Sequence, residues 1–342
     1  MTTIKDIARI SGYSIGTVSR VLNDHPDVSD VAREEIVQIV KEYDFIPNAN
    51  AKKLKQRPKG IAILLKGSSN FLFADILEKI QTAMIKSEEE TTVIYLDEDE
   101  NEVTAAIRIV KERKPKGIIF LGGNLKYFQE SFDQITIPAV LLTNNAMNLH
   151  FDNLSSYSTD DTAACQAMTE YCIHLGHKNI GIVGGNADSS ETQVSYRRIQ
   201  GCIAAFDKHN IPFDKDRQYE PCRFSMQDGY DATARLLKRD PSLTAVIALG
   251  DVIAIGALRA ANDLGLRVPE DVSITGFDGI EMTRYTIPRL TTVAQDTSSL
   301  ALKCSIDIMQ RTHYKYESEN EIIPFRIMER ESVRTIKEKR KL

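Results

Sequence analysis

The sequence predicts a small all-α headpiece followed by a larger α/β body. Three helical patterns, the first two joined by a tight glycine turn, fill residues 1–46. A short basic segment, residues 47–59, separates them from the body. From residue 60 onward, apolar runs of strand length alternate with helix-length patterns, which is typical of parallel sheets covered by helices on both faces. Seven or more such strands favour two sheets over one.

Composition narrows the class of protein. The chain has 342 residues and a net charge of −5, yet residues 1–60 hold 10 Lys and Arg against 8 Asp and Glu. An acidic body with a basic amino-terminal end favours a polyanionic partner that binds at that end. The sequence has no signal-peptide pattern, no apolar run that could span a membrane, and five cysteines without CxxC spacing. We therefore expect a cytoplasmic protein with reduced thiols.

Each headpiece helix has its own start signal. Thr3, Ser14 and Ser29 precede the three helical patterns as N-caps, and Asp6 has the spacing of a capping box with Thr3. Gly12 ends the first helix. We expect one apolar face on each helix, formed by Ile4, Ile7 and Ala8, then by Val18, Val21 and Leu22, and finally by Val31, Ile36, Val40 and Tyr43.

Two short helices joined by a tight turn match the helix-turn-helix plan, in which the second helix enters the major groove of DNA. The outward positions of the second helix include no acid; they are Ile15, Gly16, Thr17, Ser19 and Arg20. Hydroxyl groups can bind phosphates, and an arginine can make a bidentate contact with guanine. The alternative is a three-helix bundle that contacts another protein. The acid-free face favours DNA.

The basic segment 47–59 contains a second candidate DNA contact. Pro47 and Asn48 can start a helix that runs to Leu54, which is too short to be stable alone. A leucine inserted into the minor groove would kink the duplex, and flanking lysines would neutralise phosphates. The alternative is a flexible linker.

The body has seven predicted strands, at residues 61–65, 92–96, 117–123, 138–143, 179–185, 245–251 and 272–278. Thr143, Asp251 and Asp278 end three of them, where ligands bind in such folds. The glycine pairs lack GxGxxG spacing, no P-loop is present, and His174 and His177 have no partners at metal-ligand spacing. We therefore predict no cofactor, no metal and no catalytic residue.

The amino-terminal segments TIKDIARISGYSIGTVSRVLN and VSDVAREEIVQIVKEYDFIPNANAKKL resemble the start of the LacI/GalR family of bacterial transcriptional regulators. The resemblance implies that Ile15 and Gly16 discriminate operators and that Leu54 is the minor-groove lever. Gly16 departs from the family because it has no side chain to read a base, so specificity rests more on Ile15, Arg20 and Lys5. The predicted DNA contacts are Lys5, Ser14, Ile15, Gly16, Thr17, Ser19, Arg20, Asn23, Asn48, Ala51, Leu54 and Lys55.

The body is similar to the same family in STDD, AMTEYCIHLGHKNIGIVGG, RRIQGCIAAF and GDVIAIGALRAANDLGLRVPEDVSITGFDGIEMTRYTIPRL. This implies a periplasmic-binding-protein-like (type I) effector domain at 60–332 with two lobes, at about 60–160 with 291–319 and at about 161–290 with 320–332. Crossovers are expected near Ser158, Thr291 and Asn320. The implied effector contacts are Leu72, Phe73, Thr143, Arg198, Phe224, Asp251 and Asp278. Gly250 departs from the family's usual asparagine, so one ligand amide is missing.

Together these features predict a repressor of a carbohydrate-utilisation operon, bound as a homodimer to a pseudo-palindromic double-stranded operator and released by a sugar or sugar derivative. The basic tail, 333–342, has no leucine heptad that would favour a tetramer. Three alternatives stay open: a repressor that needs a corepressor such as a purine, a sugar-binding receptor for transport, and a nucleotide-dependent enzyme. The last lacks a phosphate-binding motif.

Overall fold

The computed structural model describes residues 3–22, 25, 27–43, 60–67, 70–186 and 192–336, with the side chain of Ile4 outside the description. The chain divides into two compact units, Met1–Arg57 and Pro58–Leu342. Of the described helices, none combines the length and apolar character needed to cross a membrane.

The first unit contains the three predicted helices, α1 (Ile4–Ser11), α2 (Ile15–Leu22) and α3 (Asp30–Glu42). Thr3 and Asp6 form the predicted capping box, and Gly12 ends α1 with φ of 72°. The core of this unit consists of buried side chains from all three helices: Ile7, Ala8, Val18, Val21 and Ile36.

The predicted apolar face of α3 is partly wrong. Val31 is 65% exposed and Tyr43 is 49% exposed, whereas Ala32 and Ile36 are buried. Val31 and Ile36 are five positions apart, which places them about 140° apart around a helix of 3.6 residues per turn. The buried face is therefore built on Ala32 and Ile36, with Val40 half-buried beside them.

The second unit has two lobes, each built on a six-stranded sheet. The first lobe begins with β1 (Ile61–Lys66), α4 (Phe71–Lys86), β2 (Thr91–Leu96), α5 (Glu102–Arg113), β3 (Gly117–Leu121), α6 (Leu125–Ser131), β4 (Ala139–Leu142) and β5 (Leu154–Ser158). The second lobe begins with α7 (Asp161–His174), β6 (Ile180–Val183), α8 (Val194–Lys208), α9 (Lys215–Gln218), β7 (Tyr219–Glu220), α10 (Met226–Arg239), β8 (Ala245–Ala248), α11 (Asp251–Asp263), β9 (Ser273–Asp278) and β10 (Thr291–Ala294).

The chain then returns to the first lobe for α12 (Thr297–His313) and β11 (Asn320–Ile322), and it ends in the second lobe with β12 (Arg326–Met328). The strand orders are β11-β5-β4-β3-β1-β2 and β12-β10-β9-β8-β6-β7. Every paired strand is parallel to its neighbour except β12, which is antiparallel to β10. The predicted division into two sheets is confirmed.

Strand pairing refines the approximate positions of two of the three predicted crossovers. The first, at Ser158, agrees with the end of β5. However, β10 pairs with β9 in the second sheet, and β11 pairs with β5 in the first sheet. The second crossover therefore follows Ala294 rather than Thr291, and the third follows Ile322 rather than Asn320. Strand pairing decides these boundaries, and it is a long-range property that local sequence patterns do not contain.

Apolar side chains cover both faces of each sheet. In the first lobe, one buried cluster packs α4 and α12 against the sheet and another packs α5 and α6 against its other face. The second lobe repeats this arrangement with α7 and α8 on one face and α10 and α11 on the other. With both faces covered, the polar groups that remain accessible in each lobe concentrate at the ends of the strands.

Candidate nucleic-acid interface and ligand cleft

Helix α2 exposes several of the side chains that are predicted to contact DNA. Lys5 of α1 and Ile15, Gly16 and Arg20 of α2 are exposed, while Thr17 and Ser19 are half-buried. The opposite face of α2 holds its buried valines against α1 and α3. Among the residues that the structure describes in this unit, no acid pairs with Arg20. Arg20 is exposed, so its guanidinium can reach a contact outside the chain.

Two of the predicted phosphate-binding hydroxyls have a structural role. The Ser14 hydroxyl accepts a hydrogen bond from the Thr17 backbone N–H at 3.1 Å and lies 2.9 Å from the Thr17 hydroxyl. Ser14 is thus the N-cap that the sequence predicts for α2. The Tyr13 hydroxyl donates to Glu35 of α3 at 2.7 Å, which ties the turn to the third helix.

Five predicted DNA contacts lie outside the described residues: Asn23, Asn48, Ala51, Leu54 and Lys55. The basic segment 47–59, with its predicted hinge helix, therefore stays a sequence-based expectation. The same holds for most of the basic tail, of which residues 337–342 are outside the description.

The second unit contains a cavity of about 630 Å³ that is lined by both lobes. It lies at the carboxyl ends of β1 to β4 in the first lobe and of β9 and β10 in the second, where such folds bind ligands. Six of the seven predicted effector contacts line it: Leu72, Phe73, Thr143, Arg198, Phe224 and Asp278. We call this cavity the cleft.

Arg198 is the centre of the polar network in the cleft. It is 5% exposed, and its guanidinium donates to Asp161 at 2.8 Å, to the Leu249 carbonyl at 2.6 Å and to Asp278 at 3.3 Å. The guanidinium also stacks on Phe277, 3.7 Å from the ring centroid. Burial alone would lower the pKa of Arg198, but the two carboxylates outweigh it and raise that pKa. The group is therefore a permanent cation in a fixed orientation.

Asp278 ends β9 in an unusual backbone conformation, with φ of 116°. Its Oδ1 accepts hydrogen bonds from Arg198 and from Gln295 Nε2, the latter at 2.9 Å. Among described residues, none donates a hydrogen bond to its Oδ2. Burial raises the pKa of Asp278, and the positive charge of Arg198 opposes that shift. One carboxylate oxygen thus stays available to a ligand.

The surroundings of Gly250 explain why this position does not carry the family's usual asparagine. A Cβ at this position would lie 3.0 Å from the Phe224 ring, which is tighter than an ordinary contact. The ring of Phe224, half-buried and 5.9 Å from the Arg198 guanidinium, occupies the space beside position 250. An aromatic face therefore takes the place of the expected amide.

The structure corrects the assignment of Asp251. This residue is 1% exposed and does not line the cleft. Its carboxylate accepts hydrogen bonds from the Ile280 backbone N–H at 2.8 Å and from the Thr292 hydroxyl at 2.6 Å. Its chain position after β8 suggested a ligand contact, but it begins α11 and faces the turn after Asp278. Asp251 holds the loop that carries a cleft residue.

Sequence reasoning missed much of the polar lining. Lys66 pairs with buried Glu102 at 2.6 Å and lies over the Tyr127 ring. Across the cleft, Arg223 of the second lobe pairs with Asp99 of the first at 2.6 Å. The other missed polar side chains include Asn70, Asp97, Glu98, Asn124, Gln193, Ser195, Ser225, Asp228 and Gln295. A signal existed, since the acidic run DEDE at 97–100 follows β2 directly.

A second cavity and a buried histidine of the body lie outside the predicted effector site. A second cavity of about 600 Å³ is also lined by both lobes, including Thr159, Tyr196 and Gln200, but none of the predicted effector contacts lines it. His177 is buried and bonded to the Thr244 hydroxyl at 3.0 Å and the Arg334 carbonyl at 2.9 Å. Within the described ranges, no group of three potential ligands could hold a metal ion.

Two family models match the chain. Bacterial regulatory proteins of the lacI family match residues 3–48, and the periplasmic binding protein-like domain matches residues 169–333. The first covers the helix-turn-helix and the second covers most of the second lobe.

Curated relatives match over nearly their whole length. The transcriptional regulator MalR of Clostridium butyricum is 36% identical over 312 residues, which cover 90% of this chain and 91% of the relative. The ribose operon repressor of Haemophilus influenzae is 30% identical over 314 residues, which cover 91% and 92%.

A solved structure agrees in fold. The LacI family transcriptional regulator from Enterococcus faecium with bound ribose is 27% identical with a TM-score of 0.69, and the match covers 82% of this chain and all of that one. With the headpiece, the two-sheet body and these relatives in agreement, the chain belongs to the lacI family of bacterial regulatory proteins and is a DNA-binding transcriptional regulator.

Proposed function

We propose that this regulator represses a carbohydrate-utilisation operon and leaves its operator when a sugar inducer binds in the cleft. The observation that carries the proposal is the set of cleft residues from both lobes, centred on the Arg198–Asp278 pair and bordered by the rings of Phe73 and Phe224. A ribose operon repressor among the relatives and a ribose-bound structural neighbour support a sugar. The protein acts in the cytoplasm, because bacterial operators are located there.

The cleft has the chemistry that a sugar ring requires. Arg198 and Asp278 can donate to and accept from neighbouring hydroxyl groups, and Thr143 adds a hydroxyl from the opposite lobe. The faces of Phe73 and Phe224 can cover the apolar C–H surface of the ring. The cleft thus has polar groups from both lobes and aromatic faces beside them. This combination favours a polyhydroxylated ring over a wholly apolar ligand.

A ligand that touches both lobes can change operator affinity through their relative orientation. Arg223–Asp99 and Gln295–Asp278 are among the contacts that line the cleft, and a bound ring would add others. Such a ligand stabilises the arrangement that it contacts best and so shifts the population of operator-competent protein. The free energy that couples sugar binding to operator binding is limited by the difference between the sugar's binding free energies for the two arrangements.

A homodimer supplies the second half-site contact. One helix-turn-helix reads few base pairs, so a pseudo-palindromic operator needs two headpieces for useful specificity. Exposed large apolar side chains are present on both lobes of the body: Ile85, Tyr95, Tyr285 and Ile287, the last of them 96% exposed. Exposed apolar side chains that form a contiguous patch are typical of a surface that another chain covers.

Replacing Arg20 by alanine should weaken binding to a pseudo-palindromic operator about 10- to 100-fold for each half-site, because a bidentate guanine contact contributes roughly 1–3 kcal/mol. Titration of full-length protein with labelled duplex at fixed salt measures the change. Arg259→Ala, an exposed arginine of α11 in the body, removes the same charge and should leave operator affinity unchanged. Equal affinity of Arg20→Ala and the unchanged chain would contradict the headpiece assignment.

The inducer role has a separate test. A thermal-shift screen of sugars, nucleobases and amino acids should identify a sugar that raises the melting temperature, since a ligand of the folded state stabilises it. The same sugar should lower operator affinity. A nucleobase that stabilises the chain and raises operator affinity would instead establish a corepressor-dependent repressor.

A further inference from the structure

Each described cation that lines the cleft has a carboxylate partner. Lys66 Nζ lies 2.6 Å from Glu102, and Arg223 lies 2.6 Å from Asp99. Arg198 is shared between two carboxylates, Asp161 at 2.8 Å and Asp278 at 3.3 Å. A negatively charged ligand would therefore have to compete with a carboxylate for any of these cations.

Carboxylates are in excess at the outer part of the cleft. Asp97, Glu98 and Asp228 line it, and none of the described cations lies within ion-pair distance of them. Asp97 accepts the Asp99 backbone N–H at 3.1 Å, and Asp228 accepts the Ser225 hydroxyl as part of the cap of α10. We call Asp97, Glu98 and Asp228 the outer acidic group.

The members of the outer acidic group are close enough to affect one another. Burial raises the pKa of Glu98, Arg223 opposes that shift, and Asp99, Asp97 and Asp228 add to it. These residues come from two facing elements, the loop after β2 in the first lobe and the start of α10 in the second. The negative potential therefore extends across the mouth of the cleft rather than along one loop.

We propose that the cleft selects its sugar by charge: the ligand carries no phosphate or carboxylate, and it donates hydroxyl hydrogen bonds to the outer acidic group. This inference rests on the proposed sugar effector and adds its charge class. A phosphate ester would bring its dianion near unpaired carboxylates, and an uncharged hydroxyl at the same position would satisfy them. An amino sugar has the opposite charge and would be accepted.

The test compares free sugars with their phosphate esters on the full-length protein. The probes are D-ribose with D-ribose 5-phosphate, D-glucose with D-glucose 6-phosphate, and maltose with maltose 6′-phosphate, with D-glucosamine as the cationic probe. We expect at least one free sugar to bind, with its ester at least tenfold weaker by calorimetry. An ester that binds as tightly as its free sugar, or more tightly, overturns the charge selection while the sugar effector stands.

Variants connect the selection to the outer acidic group. The double variant Asp97→Asn with Glu98→Gln should reduce the ratio of free-sugar to ester affinity on the order of three- to tenfold. Glu100→Gln is the matched control, because Glu100 is exposed in the same loop but does not line the cleft. An unchanged ratio in the double variant overturns the role of these residues. If no sugar or ester binds, the proposed sugar effector is wrong, and the charge selection is wrong with it. Operator binding has its own test, the titration of Arg20→Ala with labelled duplex.

Discussion

Replacing Arg198 by methionine should destabilise the body by about 3–5 kcal/mol and abolish the response to sugar. Methionine keeps much of the volume but leaves the carboxylate of Asp278 buried without its cation, and it leaves Asp161 only the more distant Arg197 at 3.7 Å. Removing one partner of a buried ion pair is costly for that reason. The Leu249 carbonyl also loses its donor. Urea unfolding of the full-length chain measures the stability, and the sugar-induced melting shift measures the response.

The neighbouring residue provides the control. Arg197 is more exposed than Arg198, lies 3.7 Å from Asp161 and donates to Asn144. Arg197→Met should therefore cost clearly less stability than Arg198→Met. Arg198→Lys retains the charge but loses the planar fork, so an intermediate stability and a weak sugar response are expected. Equal stabilities of the two methionine variants would contradict the central role of Arg198.

The headpiece could be predicted closely because its signals are local. A cap at Thr3, a glycine with positive φ at position 12 and a cap at Ser14 each depend on a few adjacent residues. The inward face of α3 was less predictable. Ala32 is small and gives little hydrophobic signal, so Val31 was assigned to its place, although the helical period excludes Val31 from the face of Ile36.

The body was predictable where strands are continuous apolar runs, as in β1, β3 and β8. The strands without such a signal are polar or short: β5 reads LSSYS, β10 reads TTVA, and β7, β11 and β12 have two or three residues each. The crossover positions after β10 and β11 follow from pairing with β9 and β5, which are distant in sequence. Such pairing has no local signature.

The side chains of the cleft could likewise be predicted only in part from the sequence. Phe73, Arg198 and Phe224 were assigned through resemblance, and the structure brings them to one cavity. The run 97–99 gives only a weak signal, because acidic residues after a strand are common on surfaces. Asp251 was misassigned, since position after a strand does not determine whether a side chain points to the cleft or into the protein.

Asp251→Ala should cost about 2–4 kcal/mol of stability and weaken sugar binding even where the chain is fully folded. The change leaves the Ile280 N–H without its buried side-chain acceptor, and it leaves the Thr292 hydroxyl only the Val293 carbonyl at 3.2 Å. An unsatisfied buried group costs roughly 1–3 kcal/mol. The change also loosens the turn at Gly279 that follows Asp278. Asp263→Ala, at the exposed far end of α11, should lose the Arg259 pair and the hydrogen bond from the Tyr230 hydroxyl, and it should cost far less stability because both contacts are exposed.

Asp251→Asn separates positioning from general stability. Asparagine retains one acceptor oxygen for the loop, so sugar affinity, measured well below the melting temperature, should recover most of the loss seen with alanine. A residue that mattered only for stability would leave that affinity equal in all folded variants. Equal affinity in Asp251→Ala and the unchanged chain would therefore show that the turn holds Asp278 without Asp251, and that the backbone after β9 alone determines the geometry of the cleft.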